Sequence, residues 1–130
     1  FVLGPEGVRV ELHEVKTIAT PVVMDHVHLF VPDPIAARDW YVKMFGATPG
    51  ERGAFKTATV PGGEISITKD ETTVTTKGRV VDHIGFEVKN LAETVKRLEA
   101  AGIKMDRQPG LGEPSDPAIP DGQGSPLRPI

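Results

Sequence analysis

The run Asp25-His26-Val27-His28-Leu29-Phe30-Val31 returns in altered form as Asp82-His83-Ile84-Gly85-Phe86-Glu87-Val88, at an offset of 82 − 25 = 57 residues. Successive side chains of a strand point to opposite faces. His26 and His28 therefore share one face, and Val27, Leu29 and Val31 the other. In the second copy His83, Gly85 and Glu87 stand opposite Ile84, Phe86 and Val88. Two strands that each carry one apolar face, with a histidine at the same point of the polar face, are expected to be two halves of one site.

A chain of 130 residues is long enough for about one domain with a buried core. Its apolar share of 38% is ordinary, and no apolar stretch approaches the roughly 20 residues of a membrane span. With 15 basic and 18 acidic side chains, and no basic stripe with interleaved aromatics, nucleic acid is not an expected partner. There is no cysteine, which excludes disulfides and thiolate sites, so any metal must be held by imidazole and oxygen. The chain opens at Phe1 without an initiator methionine, and its first residues lack a secretory-signal pattern. A cytoplasmic location is the default expectation.

Taken in order, Gly4-Pro5-Glu6-Gly7 reads as a turn, followed by alternation of Val8, Val10 and Leu12 with Arg9, Glu11 and His13: a half-buried strand. After the first histidine strand, Asp33 suits a helix N-cap and Pro34 the first helical position. Ala37, Trp40, Tyr41, Met44 and Phe45 recur at helical spacing up to a glycine cap at Gly46, with Trp40 and Phe45 expected in the core. Residues 54–60 and 64–68 read as two strands around the turn Pro61-Gly62-Gly63, and 70–78 as a polar loop. Asn90-Leu91-Ala92-Glu93 has the form of a capping box, opening a helix with Leu91, Val95 and Leu98 as its stripe and Gly102 as its end. Ile103 to Met105 begins another strand. From Pro109 onward prolines and glycines recur too often for a regular ladder, so an irregular tail is expected.

The quoted runs DHVHLFVPD with WYVKMFGA, and VDHIGFEVKN with LAETVKRLEAAGI, resemble the vicinal oxygen chelate superfamily of glyoxalases, bleomycin-binding proteins and extradiol dioxygenases. The resemblance implies an α+β fold: paired βαβββ modules forming a cup-shaped mixed sheet, with helices on its outer face and a divalent metal in the cup. It divides the chain into a strand-bearing segment 1–15, a first module 22–78, a partial second module 79–107 and a Pro/Gly-rich tail 108–130. The superfamily's metal ligands sit on the first and last strands of each module. By position the two histidines fall on His26 and His83, and Ser66 stands where the first module's last strand often offers Glu or Gln. The C-terminal match PDGQGSPL puts Pro126 at the remaining ligand position, whereas GPEGVRVEL near the N-terminus resembles that last strand and offers Glu11. Glu11 either is left over from a preceding domain of a tandem protein or belongs to a strand that fills the vacant slot, in its own chain or in a partner by exchange. Ten linker residues reach up to about 33 Å, and a filled slot satisfies backbone groups that would otherwise be unpaired, so it is the favoured arrangement.

The implied donor set is thus His26, His83 and Glu11 around Fe, Mn, Zn, Ni or Co. Two histidines and one carboxylate leave positions open for substrate or dioxygen and suit either Fe(II) oxygenase chemistry or Lewis-acid polarisation of a substrate oxygen. His28 and Glu64 face the same way and are the expected proton carriers, against the plainer readings of a histidine hydrogen-bonded inside the cup and a solvated or paired carboxylate. Glu87 has the same alternatives as Glu64. Arg9 either grips an anionic substrate through its planar fork or is exposed. The expected function is a metal-dependent lyase, isomerase or dioxygenase acting on a small oxygenated metabolite, as a homodimer, with strand exchange between its chains as one arrangement. The alternatives are a metal-free binding protein of the bleomycin-resistance type and an inactive fragment of a tandem-domain protein.

Overall fold

The computed structural model describes residues 1–105 and divides the chain after Gly85 into two compact units. The expected irregular tail lies outside the described residues.

In the first unit, β1 (Val2–Leu3) and β2 (Arg9–Val10) form a small antiparallel hairpin around a single 3₁₀ turn at Pro5–Gly7. There follow β3 (His26–Val31), α1 (Pro34–Phe45), β4 (Thr48–Arg52), β5 (Phe55–Val60) and β6 (Gly63–Lys69). The sheet order is β3-β6-β5-β4, with β3 parallel to β6 and the other pairs antiparallel. This is one complete βαβββ module.

Local chemistry accounts for its elements. The Asp33 carboxylate accepts hydrogen bonds from the Ile35 and Ala36 amides, satisfying two of the orphan donors that open α1. Gly46 ends the helix at φ 67°, a left-handed conformation open to glycine without a Cβ clash. Strand β4 carries Pro49 and was not expected from its sequence; it is tolerated because β4 is an end strand. The turn between β5 and β6 uses Gly62 at φ 95°.

Helix α1 packs on the face that presents Ala58, Ile65 and Ile67, and Met44 and Ala47 close the core. Trp40, Tyr41 and Phe45 form an edge-to-face cluster that is only partly buried, so Met44 takes the central place expected of the larger rings.

Two strand expectations are not met among the described residues. Asp82–Val88 joins no ladder, and the N-terminal strand pairs with Val2–Leu3 rather than with the four-stranded sheet. Alternation marks a segment able to pair, whereas pairing also requires an available neighbour. In the second unit α2 (Leu91–Ala100) is capped by Asn90, whose side chain accepts from the Glu93 amide; residues 103–105 form no strand. No helix of the described residues is long and apolar enough to cross a membrane.

Candidate metal centre

Register assembles the polar face of the sheet. His26 pairs with Glu64, His28 with Ser66 and Phe30 with Thr68 across β3 and β6, while Thr57 pairs with Ser66 and Arg52 with Phe55 further along. All these side chains lie on the face away from α1, by the alternation that buries Ile65 and Ile67.

Over the start of β3 lies the segment that follows β2. It brings Glu11 Oε2 to 3.3 Å from His26 Nε2, and the His26 side chain is only 9% exposed. On the other side of the ring, His26 Nδ1 lies 2.7 Å from Asp25 Oδ2. His13 joins the group, with Nε2 at 3.0 Å from Glu11 Oε1 and Nδ1 at 3.5 Å from Asp25 Oδ2. Both carboxylates are held below their usual range, Glu11 chiefly by its hydrogen bond with His13 and Asp25 chiefly by its hydrogen bond with His26. Both remain ionised donors at neutral pH.

Further along β3, the His28 ring is stacked on Phe30 and meets Phe55 edge-on, and its Nε2 is 2.6 Å from Thr68 Oγ1. Burial, aided by His26, pushes the His28 pKa down and keeps the ring neutral. Ser66 is fully buried, accepting from Arg52 Nη2 at 2.9 Å and donating to Glu64 Oε1 at 3.0 Å. Arg52 also pairs with Glu64 at 3.2 Å and with Asp25 at 3.5 Å. One guanidinium therefore links the carboxylate that orients His26 to the carboxylate beside it on β6.

Of the residues singled out from sequence, Glu11, His26, His28 and Glu64 are thus gathered on one face. His83 is 81% exposed and lies 3.0 Å from Asp82. Glu87 is exposed in the second unit, and the Arg9 guanidinium sits 4.1 Å from the centre of the Phe1 ring. Sequence reasoning passed over His13, Asp25 and Arg52. The signal for Asp25 was present, because the Asp-His pair occurs in both copies of the repeat and both pairs are in contact.

Among the described residues no three His, Asp or Glu side chains already converge on one point where a metal ion could sit. Two donors of the kind such an ion takes, Glu11 and His26, are in contact at the centre. Oxygen and imidazole donors lie about 2.0–2.2 Å from a zinc ion, which sets neighbouring donors about 3.0–3.4 Å apart. The 3.3 Å between Glu11 and His26 falls within that span. Asp25 lies at Nδ1, where a carboxylate can accept the N–H of a ring whose Nε2 binds a metal.

The chain was compared with known proteins. Residues 23–118 match the model of the Glyoxalase/Bleomycin resistance protein/Dioxygenase superfamily, which is most of the chain. The chain belongs to this superfamily. Solved structures agree on the glyoxalase-like fold. The oxidase ChaP-H2 superposes with TM-score 0.54 at 18% identity over 64% of this chain, and a mobile-metagenome protein of V. pseudocholerae with TM-score 0.52 at 17% identity over 76% of this chain and 77% of its own. The chain spans 65% of the length of the oxidase, just under two thirds. A possible glyoxalase from Bacillus cereus is 29% identical over 59% of this chain and 71% of its own, with TM-score 0.48. No curated protein matches the chain. Divalent metals and small-molecule substrates are typical of the superfamily.

Proposed function

We propose that this glyoxalase-superfamily chain is a divalent-metal-dependent enzyme acting on a small metabolite that binds through two neighbouring oxygens. The observation that carries the reading is the Glu11–His26 contact, two metal-competent donors at the separation one ion imposes, with Asp25 locking the ring from behind. Such an ion, when bound, supplies Lewis-acid polarisation of substrate oxygen. The chain's own residues do the rest. Glu11 and His26 hold the ion, Asp25 orients His26, and Arg52 adds fixed positive charge to the same face. His28, kept neutral by burial, accepts a proton, and Glu64 is the second carrier. Two proton carriers beside the centre favour lyase or isomerase chemistry over that of a dioxygenase.

His83 is the further donor. It lies in a segment patterned as a strand, and β3 is an end strand of the sheet. Docking this segment at that edge from a second copy in a homodimer satisfies backbone groups on both sides.

A second reading, a metal-free binding protein, is favoured by one observation: Ser66 stands at a ligand position and has both its hydrogen bonds engaged, with Arg52 and Glu64. Metal content and solution mass of gently purified protein separate the two. About one metal per chain, lost in Glu11→Ala and in His26→Ala, is expected. No metal in wild type even after reconstitution, together with small-molecule binding that survives a chelator, overturns the enzyme reading.

A further inference from the structure

A large apolar side chain stands on the otherwise polar face of β3. Phe30 follows His26 and His28 at two-residue steps and is 51% exposed, whereas Val27, Leu29 and Val31 take the other face. The His28 ring stacks on it, with 5.1 Å between centroids and 11° between planes. Phe55 of β5 meets His28 edge-on, at 4.8 Å and 75°. Thr68 Oγ1 of β6, 2.6 Å from His28 Nε2, fixes the middle ring. Three strands thus build one aromatic surface, and rings already held in place lose little freedom when a ligand lies on them. The surface continues into the Glu11–His26 contact, because the His28 and His26 ring centres are 5.8 Å apart. Four residues of extended chain set Phe30 about 13 Å from His26 along β3.

We propose that this surface binds the flat, conjugated body of the substrate while the substrate's two neighbouring oxygens meet Glu11 and His26; the anchoring of the oxygens rests on the metal-dependent reading above. The substrate class is thereby narrowed to planar ring compounds long enough to reach Phe30 from His26. A flat ring stacks offset or edge-on against Phe30, which strengthens binding about two- to tenfold beyond the area it buries. A saturated body of the same size is puckered and has no π face, so it gains the burial without the stacking. Single exposed apolar side chains are ordinary on protein surfaces. Phe30 differs because a second ring and a hydroxyl hold its stacked partner, and because the row of rings leads to the Glu11–His26 contact.

The test is calorimetric titration of the full chain, with Co²⁺ and with a chelator, using three neutral hydroxyketones that carry the same two oxygens: naphthyl hydroxymethyl ketone, its decahydronaphthyl counterpart and hydroxyacetone. Wild type is compared with Phe30→Leu, which keeps apolar bulk without the ring, with Phe30→Ala, and with Ile35→Ala, an exposed apolar position on α1. Wild type and Ile35→Ala are expected to bind the naphthyl ketone about fivefold more tightly than the decahydronaphthyl one. Both Phe30 variants are expected to lose that preference while their affinity for hydroxyacetone stays unchanged. Co²⁺-dependent binding with equal affinity for the two bulky ketones, or a preference that survives in both Phe30 variants, overturns the ring surface and leaves the metal-dependent reading standing. A naphthyl preference that depends on Phe30 and is the same in chelator overturns the metal-dependent reading and leaves the ring surface standing. No binding of the naphthyl ketone in either state overturns the inference.

Discussion

Asp25 Oδ2 lies 2.7 Å from His26 Nδ1, and the carboxylate is held ionised chiefly by that contact. The second copy of the repeat reproduces the arrangement, with Asp82 Oδ1 at 3.0 Å from His83 Nδ1. In each half of the chain, the residue before the histidine is therefore the one that directs its ring.

Asp25→Asn is expected to weaken divalent-metal binding about 10–100-fold, because the neutral amide withdraws the charge that makes His26 a good donor. Titration with Co²⁺, compared with wild type, checks this. An unchanged affinity would remove Asp25 from the account.

Ser66→Ala should lower stability by about 1 kcal/mol, since it removes one hydrogen bond from Arg52 and one to Glu64 at a fully buried position while the Arg52–Glu64 ion pair remains. Thr59→Ala, an exposed change on the neighbouring strand, should shift it by less than about 0.5 kcal/mol. Urea unfolding of the two variants side by side measures the contrast.

Tyr41 is the single tyrosine, and burial against α1's neighbours raises its pKa above the ordinary 10.0. The folded state keeps the phenolic proton at a pH where the unfolded chain has lost it. Below pH 10 the group adds no pH dependence, and stability falls as pH rises past that value. Tyr41→Phe should flatten this alkaline loss, read as unfolding midpoint against pH. Tyrosinate absorbance of the native protein should appear only above the ordinary range.

Short-range chemistry was legible in the sequence. Asp33 and Asn90 cap their helices and Gly46 closes α1, because a capping side chain meets amides two or three residues away. The alternation of His26 and His28 with Val27 and Leu29 correctly told the polar face from the core face. The module order strand, helix, three strands came from the family resemblance, and residue patterning alone missed β4, where Pro49 argues against a strand at any position but an edge.

Residues distant in sequence meet by rules that periodicity does not contain. Whether an alternating segment pairs depends on the neighbour it finds: the N-terminal strand takes Val2–Leu3 as its partner, and Asp82–Val88 stands outside the sheet among the described residues. The path of the chain after β2 alone brings His13 and Glu11 to His26, and the hairpin register of β4 and β5 alone brings Arg52 to Ser66 across 14 residues. The sequence by itself determined which side chains have metal-binding chemistry and which face of each strand they occupy, because those are properties of a residue and its nearest neighbours. Only the tertiary structure decided which of them share a centre, because that depends on where whole segments come to rest.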